Sequence, residues 1–175
     1  DLLLPWRTAL DNAILPLEIK GLPKKEAYAQ VRPLFQEFGL SGTESLYPHQ
    51  MSGGMRQRVS FLRAVIASAT LNGPPLILLD EPFSALDAIT RIAMQEWLLE
   101  QWMKRKQTIL LITHDVDEAL FLSDRIFLVE DQPITQLTEI NVPLDRPRRL
   151  KDLERREIVQ LKYALLTKIK ARVRT

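Results

Sequence analysis

At 175 residues, with 46% hydrophobic and 26% charged side chains, the chain is long enough to bury the core of one domain. That composition excludes a disordered tail and a collagen-like repeat, and the lack of any cysteine excludes a disulfide scaffold and thiolate metal sites. The net charge of +2 conceals a split: residues 141–175 carry 11 Lys/Arg against 4 Asp/Glu, whereas residues 1–140 carry 13 against 18. A basic tail on a mildly acidic body does not suit a nucleic-acid-binding domain.

In chain order, Thr8 to Leu17 is a short apolar-rich helical segment ended by Gly21-Leu22-Pro23. Lys24 to Phe38 sets Ala27, Val31, Leu34, Phe35 and Phe38 at helical spacing, with Gly39 as a C-terminal stop and Pro33 as an expected kink or break. Tyr47-Pro48-His49-Gln50 leads through Met51-Ser52-Gly53-Gly54 into a helix from Met55 to about Ser68. The longest uncharged stretch, Ala64 to Leu79, is interrupted by Asn72-Gly73-Pro74-Pro75 and so predicts no membrane span.

Leu76 to Leu79 then predicts a strand buried on both faces. A helix over about Asp87 to Lys106, a strand over Thr108 to Thr113 and a short helix over Val116 to Leu122 follow. A third strand spans Arg125 to Glu130, with a candidate fourth over Ile134 to Leu137. Strand and helix alternating in this way predict a parallel sheet covered by helices.

Three clusters carry chemistry. Asp80 and Glu81 sit where the first strand ends, and paired carboxylates there suit Mg²⁺ binding through water and the orientation of an attacking water. Ser52-Gly53-Gly54 opens a helix, so a capping hydroxyl, small residues and free N–H groups favour an anion. Thr113-His114-Asp115 follows the second strand directly. Taken singly, the clusters are more often a surface turn, a plain turn and a structural histidine.

In this order and spacing, the segments Tyr47–Arg58, Leu76–Asp87 and Ile112–Ala119 resemble the nucleotide-binding subunit of an ABC transporter. The resemblance implies an α/β P-loop NTPase fold, incomplete here: a helical signature subdomain over residues 1–69, the C-terminal part of a RecA-like parallel sheet over 70–140, and a basic helical extension over 141–175. It makes Ser52, Gly53, Gly54 and Met55 the signature that binds ATP held by an opposite subunit, with Met51 and Met55 replacing the commoner Leu and Gln. Asp80 corresponds to the aspartate serving Mg²⁺, Glu81 to the residue polarising the hydrolytic water, Ser84-Ala85-Leu86-Asp87 to the D-loop, and His114 to the switch histidine.

Leu3-Leu4-Pro5-Trp6, with Thr8 and Asn12, is similar to the segment behind the Q-loop in nitrate, sulfonate and taurine importers. Exposed Leu3, Leu4 and Trp6 are the expected contact with a membrane permease; packing of Trp6 inside the helical portion is the alternative. The resemblance further implies ATP and Mg²⁺ as cofactors, a second ATP-binding subunit, a solute-binding protein acting indirectly, no nucleic acid, and a peripheral place on the cytoplasmic side of the membrane. An ABC ATPase without a membrane partner and a catalytically silent half-module are the rival readings.

The Gly-x-x-x-x-Gly-Lys-Ser/Thr pattern of a P-loop is absent, since none of the six glycines is followed by Lys-Ser or Lys-Thr. The expectation is therefore a C-terminal portion of a nucleotide-binding domain, inactive and poorly soluble alone. The basic stretch from Arg146 to Arg174, with Leu150, Leu153, Ile158, Leu161, Leu165 and Leu166, predicts an amphipathic helix packing one face on the body. Its charges read as a solvated face, with anionic lipid as the alternative ligand.

Overall fold

The computed structural model describes residues 2–70, 73–129 and 134–173 and divides into two compact units, residues 1–94 with 106–110 and residues 95–105 with 111–175.

The first unit opens with α1 (Ala9–Ala13), capped by the Thr8 hydroxyl, and α2 (Leu15–Ile19). The single segment expected from Thr8 to Leu17 is split at Ile14, because Pro16 has no N–H to continue the first helix. By contrast α3 (Lys24–Glu37) runs straight through Pro33, its Ala27, Val31 and Phe35 buried along one stripe. Packing of that stripe outweighs the one backbone bond that Pro33 removes. Gly39 ends the helix at φ +65°, a left-handed conformation that glycine adopts without a Cβ penalty, and the Leu40 N–H returns to the Phe35 carbonyl at 2.7 Å. A 3-10 turn over Pro48–Gln50 precedes α4 (Gly53–Thr70), which packs against α1 and α2 and buries Val59, Leu62 and Ile66.

Strand β1 (Leu76–Asp80) pairs with β2 (Thr108–Ile112), the crossover between them being α5 (Ala88–Arg105). Burial on both faces is not what β1 shows. Ile77 is buried, but Leu76 and Leu78 are 44% and 66% exposed, because in a sheet of two strands one face lies open.

In the second unit, α6 (Val116–Leu122) precedes β3 (Arg125–Val129), which pairs antiparallel with β4 (Leu137–Asn141) in the register Arg125↔Asn141 to Val129↔Leu137. The third strand thus belongs to a hairpin and not to the sheet of β1 and β2, and the fourth lies three residues later than expected. Glu130, the expected end of the third strand, falls outside the described residues.

The expected C-terminal helix is shorter than Arg146 to Arg174. A 3-10 turn over Leu150–Glu154 comes first, and α7 (Arg156–Val173) follows; Arg174 falls outside the described residues. One face of α7 packs as anticipated, Ile158 and Leu165 joining Leu120, Val142 and Leu144 in a buried cluster flanked by Leu153 and Leu161. No helix among the described residues is long and apolar enough to cross a membrane.

Candidate functional site

The start of α4 lies in the first unit, and the hydrogen bonds that cap it are local. Ser52 is the N-cap: its hydroxyl accepts from the Met55 N–H at 3.2 Å, and its carbonyl accepts from Arg56 N–H at 3.0 Å. The Arg56 guanidinium reaches back to the Met51 carbonyl at 2.7 Å, so the turn entering the helix is fastened from within. The N–H groups of Gly53 and Gly54 then meet no acceptor among the described residues. They point outward at the positive end of an 18-residue helix.

The two glycines face a second segment closely. A Cβ on Gly53 would stand 3.0 Å from Leu86 Cδ2, and one on Gly54 would stand 3.6 Å from Met94 Sδ and Thr90 Cγ2. Residues 81–87 make a run of turns: the Ser84 N–H and hydroxyl both donate to the Glu81 carbonyl, at 3.3 and 3.0 Å, and the Leu86 N–H donates to the Phe83 carbonyl at 3.2 Å. Phe83 and Leu86 are buried as its anchors. Asp87 caps α5 by accepting from the Thr90 N–H at 3.0 Å, and the Thr90 hydroxyl and N–H hold its carboxyl below the usual carboxylate range.

Between the two segments lies an open groove of ≈ 640 Å³. Ser52, Gly53, Gly54 and Met55 form one side, and Ala85, Leu86 and Asp87 line the other. Seven of the residues singled out from sequence are thereby brought to one place. A backbone nest at a helix N-terminus, with a serine hydroxyl and no Cβ in the way, fits a terminal phosphate.

The remaining residues lie elsewhere. Asp80 ends β1, exposed, and Glu81 follows it, exposed, with a positive φ of 41°. Among the described residues no group of three or more His, Asp or Glu side chains converges as a metal site. Asp80 alone fits only a Mg²⁺ ion whose other ligands are phosphate oxygens and water. His114 belongs to the second unit, exposed and directly before Asp115, which caps α6 by accepting from the Asp117 and Glu118 N–H groups.

Of the three expected permease contacts, Leu3 is 8% exposed and therefore packed inside, a correction to its expected exposure. Leu4 is half-buried, while Trp6 is 71% exposed, contrary to the alternative that it packs within the helical portion. The cause is Asn12, wholly buried. Its side chain accepts from the Leu4 N–H at 2.7 Å and donates to the carbonyls of Leu4, Arg7 and Thr8 at 3.0–3.1 Å. The resulting tight loop turns Leu3 inward and Trp6 outward.

The fold is in part that of an ABC-type P-loop NTPase cassette, a mixed α/β chain in which the Ser52–Met55 helix start lies beside the turn that ends at Asp87. Residues 1–84 match the family model described as "ABC transporter". The chain is 53% identical over 157 residues to "Formylaminopyrimidine import ATP-binding protein ThiZ" of Halalkalibacterium halodurans, covering 90% of this chain and 61% of that protein. It is 44% identical to "Aliphatic sulfonates import ATP-binding protein SsuB 1" of Rhodococcus jostii, covering 88% of this chain and 57% of that one. Among solved structures, the dimeric ATP-binding cassette MJ0796 in a post-hydrolysis state bound to ADP and Pi superposes with a TM-score of 0.61 at 28% identity, over 82% of this chain and 60% of that one. The chain is thus similar to ABC transporter ATP-binding proteins, and spans a little over half the length of the curated relatives it matches.

Missed from sequence are the capping role of Asp115 and the arginines 146 and 148. Asp115 carries a legible signal, a capping side chain just before a short apolar run. Arg148 carries none, since apart from the Leu144 carbonyl its partners lie 24 to 28 residues away in the chain.

Proposed function

We propose that this chain is the signature-bearing part of the ATP-binding subunit of an ABC importer, a subunit that hydrolyses ATP with Mg²⁺ to drive uptake of a small solute. In this reading residues 1–69 are the helical subdomain, 70–140 part of the ATPase core and 141–175 an extension. The observation that carries it is the start of α4, where unengaged Gly53 and Gly54 N–H groups and the Ser52 hydroxyl open onto a groove shared with the D-loop.

Each residue then has a chemical task. Ser52, Gly53 and Gly54 donate hydrogen bonds to the terminal phosphate of ATP held by a second subunit, with Met55 beside them. Ser84, Ala85, Leu86 and Asp87 link that contact to the hydrolytic groups, since Ser84 is bonded to the backbone of Glu81. The Glu81 carboxylate accepts a hydrogen bond from the attacking water and orients it; Asp80 serves Mg²⁺ through water; His114 donates to the terminal phosphate. The bound Mg²⁺ supplies charge neutralisation at the phosphates. A phosphate grip of the P-loop kind comes from a segment this sequence does not contain.

Trp6, with Leu4, docks a permease subunit, which holds the protein on the cytoplasmic side of the membrane and links it to a solute-binding protein. The imports named for the relatives, a formylaminopyrimidine and aliphatic sulfonates, support a reading in which the solute is a small organic anion or a related compound. The test mixes this chain with a full-length subunit whose signature glycines are replaced. Restored ATP turnover, lost again when this chain carries Gly54→Asp, is the expected result. Turnover by this chain alone that vanishes with Glu81→Gln would contradict the reading.

A further inference from the structure

His114 precedes a helix of only seven residues, too short to hold itself in place. The N-terminal end of α6 is closed locally: the Asp115 carboxylate caps it, and the Asp115 N–H donates to Thr113 Oγ1 at 3.0 Å. Its C-terminal end has carbonyls at Leu120, Phe121, Leu122 and Ser123 that need donors from elsewhere.

Those donors come from the C-terminal stretch. Arg148 Nη1 donates to the carbonyls of Leu120, Phe121 and Ser123 at 3.3, 3.2 and 2.7 Å. Arg146 Nη2 donates to the Leu122 carbonyl at 2.6 Å. The Arg148 guanidinium is itself gripped from the far side, Nε and Nη2 donating to the Leu144 carbonyl at 3.1 and 2.9 Å and Nη2 to Asp124 at 3.2 Å. Its side chain is 1% exposed. A planar fork held on both edges has one geometry, and its charge lies at the negative end of the helix dipole. Lys162 of α7 adds a tie to Asp117 in the first turn at 2.6 Å.

We infer that Arg148 is a positioning residue for His114: it bolts the carbonyl end of α6 to the C-terminal stretch and so fixes the orientation of the helix on which His114 stands. The inference rests on the proposed role of His114 and adds a task for residues 142–165 that the proposed function leaves idle. The helix between them is about 10 Å long, so a small tilt at Ser123 is carried as a rigid displacement to His114. A misplacement of about 1 Å at a reacting group can cost about a hundred-fold in rate.

The test uses the complete subunit carrying ¹³C-labelled histidine, with the His114 imidazole signal assigned by its loss in His114→Ala. Arg148→Gln is expected to shift or broaden that signal well below the unfolding temperature, and to lower kcat by about ten- to a hundred-fold with KM for ATP little changed. Arg148→Lys, which keeps the charge but not the fork, falls between. Ile140→Ala is the control, because it weakens the same core without touching the α6 carbonyls. An unmoved His114 signal in Arg148→Gln, or an equal shift in Ile140→Ala, overturns the inference, as does full turnover in Arg148→Gln when His114→Ala is inactive. Should Arg148→Gln fail to fold, Arg146→Gln removes one donor to the α6 carbonyls, that to Leu122, along with the ion pair to Asp124, and is read by the same signal. If His114→Ala keeps full turnover, the role proposed for His114 fails instead, and the imidazole signal alone decides whether Arg148 fixes its position.

Discussion

Glu81 is held at φ 41°, where a side chain other than glycine costs about 1 kcal/mol or more, so its backbone conformation is retained against a local preference. The Ser84 bonds to its carbonyl hold it there. Glu81→Gly is therefore expected to leave stability within about 1 kcal/mol of the parent, since relief of strain offsets the extra chain entropy of glycine. In the complete subunit the same change abolishes turnover. Denaturant unfolding and steady-state hydrolysis read the two effects separately, and a large loss of stability would show that Glu81 packs as well as reacts.

Asp11 gives a pH dependence of definite sign. Burial alone would raise its pKa, but hydrogen bonds from Lys24, Tyr28 and Thr8 bring it down to about 2. A carboxylate with a folded pKa below its unfolded value stabilises the fold above pH about 4, and that contribution is lost as the pH falls toward 2. Because Lys24 is 54% exposed, the amount is about 1 kcal/mol, reduced from the full linkage value by solvent screening. Asp11→Asn is expected to flatten stability against pH between about 4 and 2 while leaving other acid transitions in place, as followed by urea unfolding at several pH values.

At the scale of elements, α4 separates what a helix needs from what a phosphate site needs. A Cβ on Gly54 would make only ordinary contacts, and alanine is the better helix former, so Gly54→Ala is expected to match or exceed the parent stability by up to about 1 kcal/mol. The methyl group nonetheless intrudes beside the open N–H groups, and turnover in a complete, dimerised subunit should collapse. Ser52→Ala differs: it removes the cap to Met55 and costs about 1 kcal/mol as well as activity. Thermal unfolding of both variants beside their hydrolysis rates distinguishes the cases. A Gly54→Ala protein that unfolds early would mean that the groove is narrower than the contacts allow.

These elements also show what was legible from sequence. The Ser52–Met55 and Ser84–Asp87 segments and the carboxylate pair are short local patterns whose residues carry their own geometry, and the structure puts Ser52 to Met55 opposite Ala85 to Asp87. The stop at Gly39 was local too. Strand β1 forms where expected but is not covered on both faces, because a run of four apolar residues records how a strand is covered in a larger sheet, whereas here Leu76 and Leu78 are open. The passage of α3 through Pro33 and the inward turn of Leu3 depend on tertiary packing and on Asn12, which no periodicity encodes. Arg148 lay beyond reach for the same reason.

At the scale of the whole chain, the charge split acquires a partial cause. Arg146, Arg148, Arg155 and Lys162 each pair with an acidic side chain, and the first two also hold α6, so much of the basic stretch is internal cement and not only a solvated face. The exposed apolar side chains have no such cause within the chain. Leu78 and Leu110 are 66% and 50% exposed on paired strands, an arrangement prone to self-association. For this chain alone, Leu78→Lys is expected to raise the soluble, monomeric fraction in size-exclusion chromatography with unfolding unchanged, because the side chain leaves nothing packed behind it. In a complete subunit the sign reverses. If further strands and helices cover that face, lysine there strands a charge in an apolar layer, and the substitution destabilises severely. Opposite effects of one substitution in the two proteins would identify the open face of β1 as an interior surface of the larger fold, and equal tolerance in both would mean that nothing covers it.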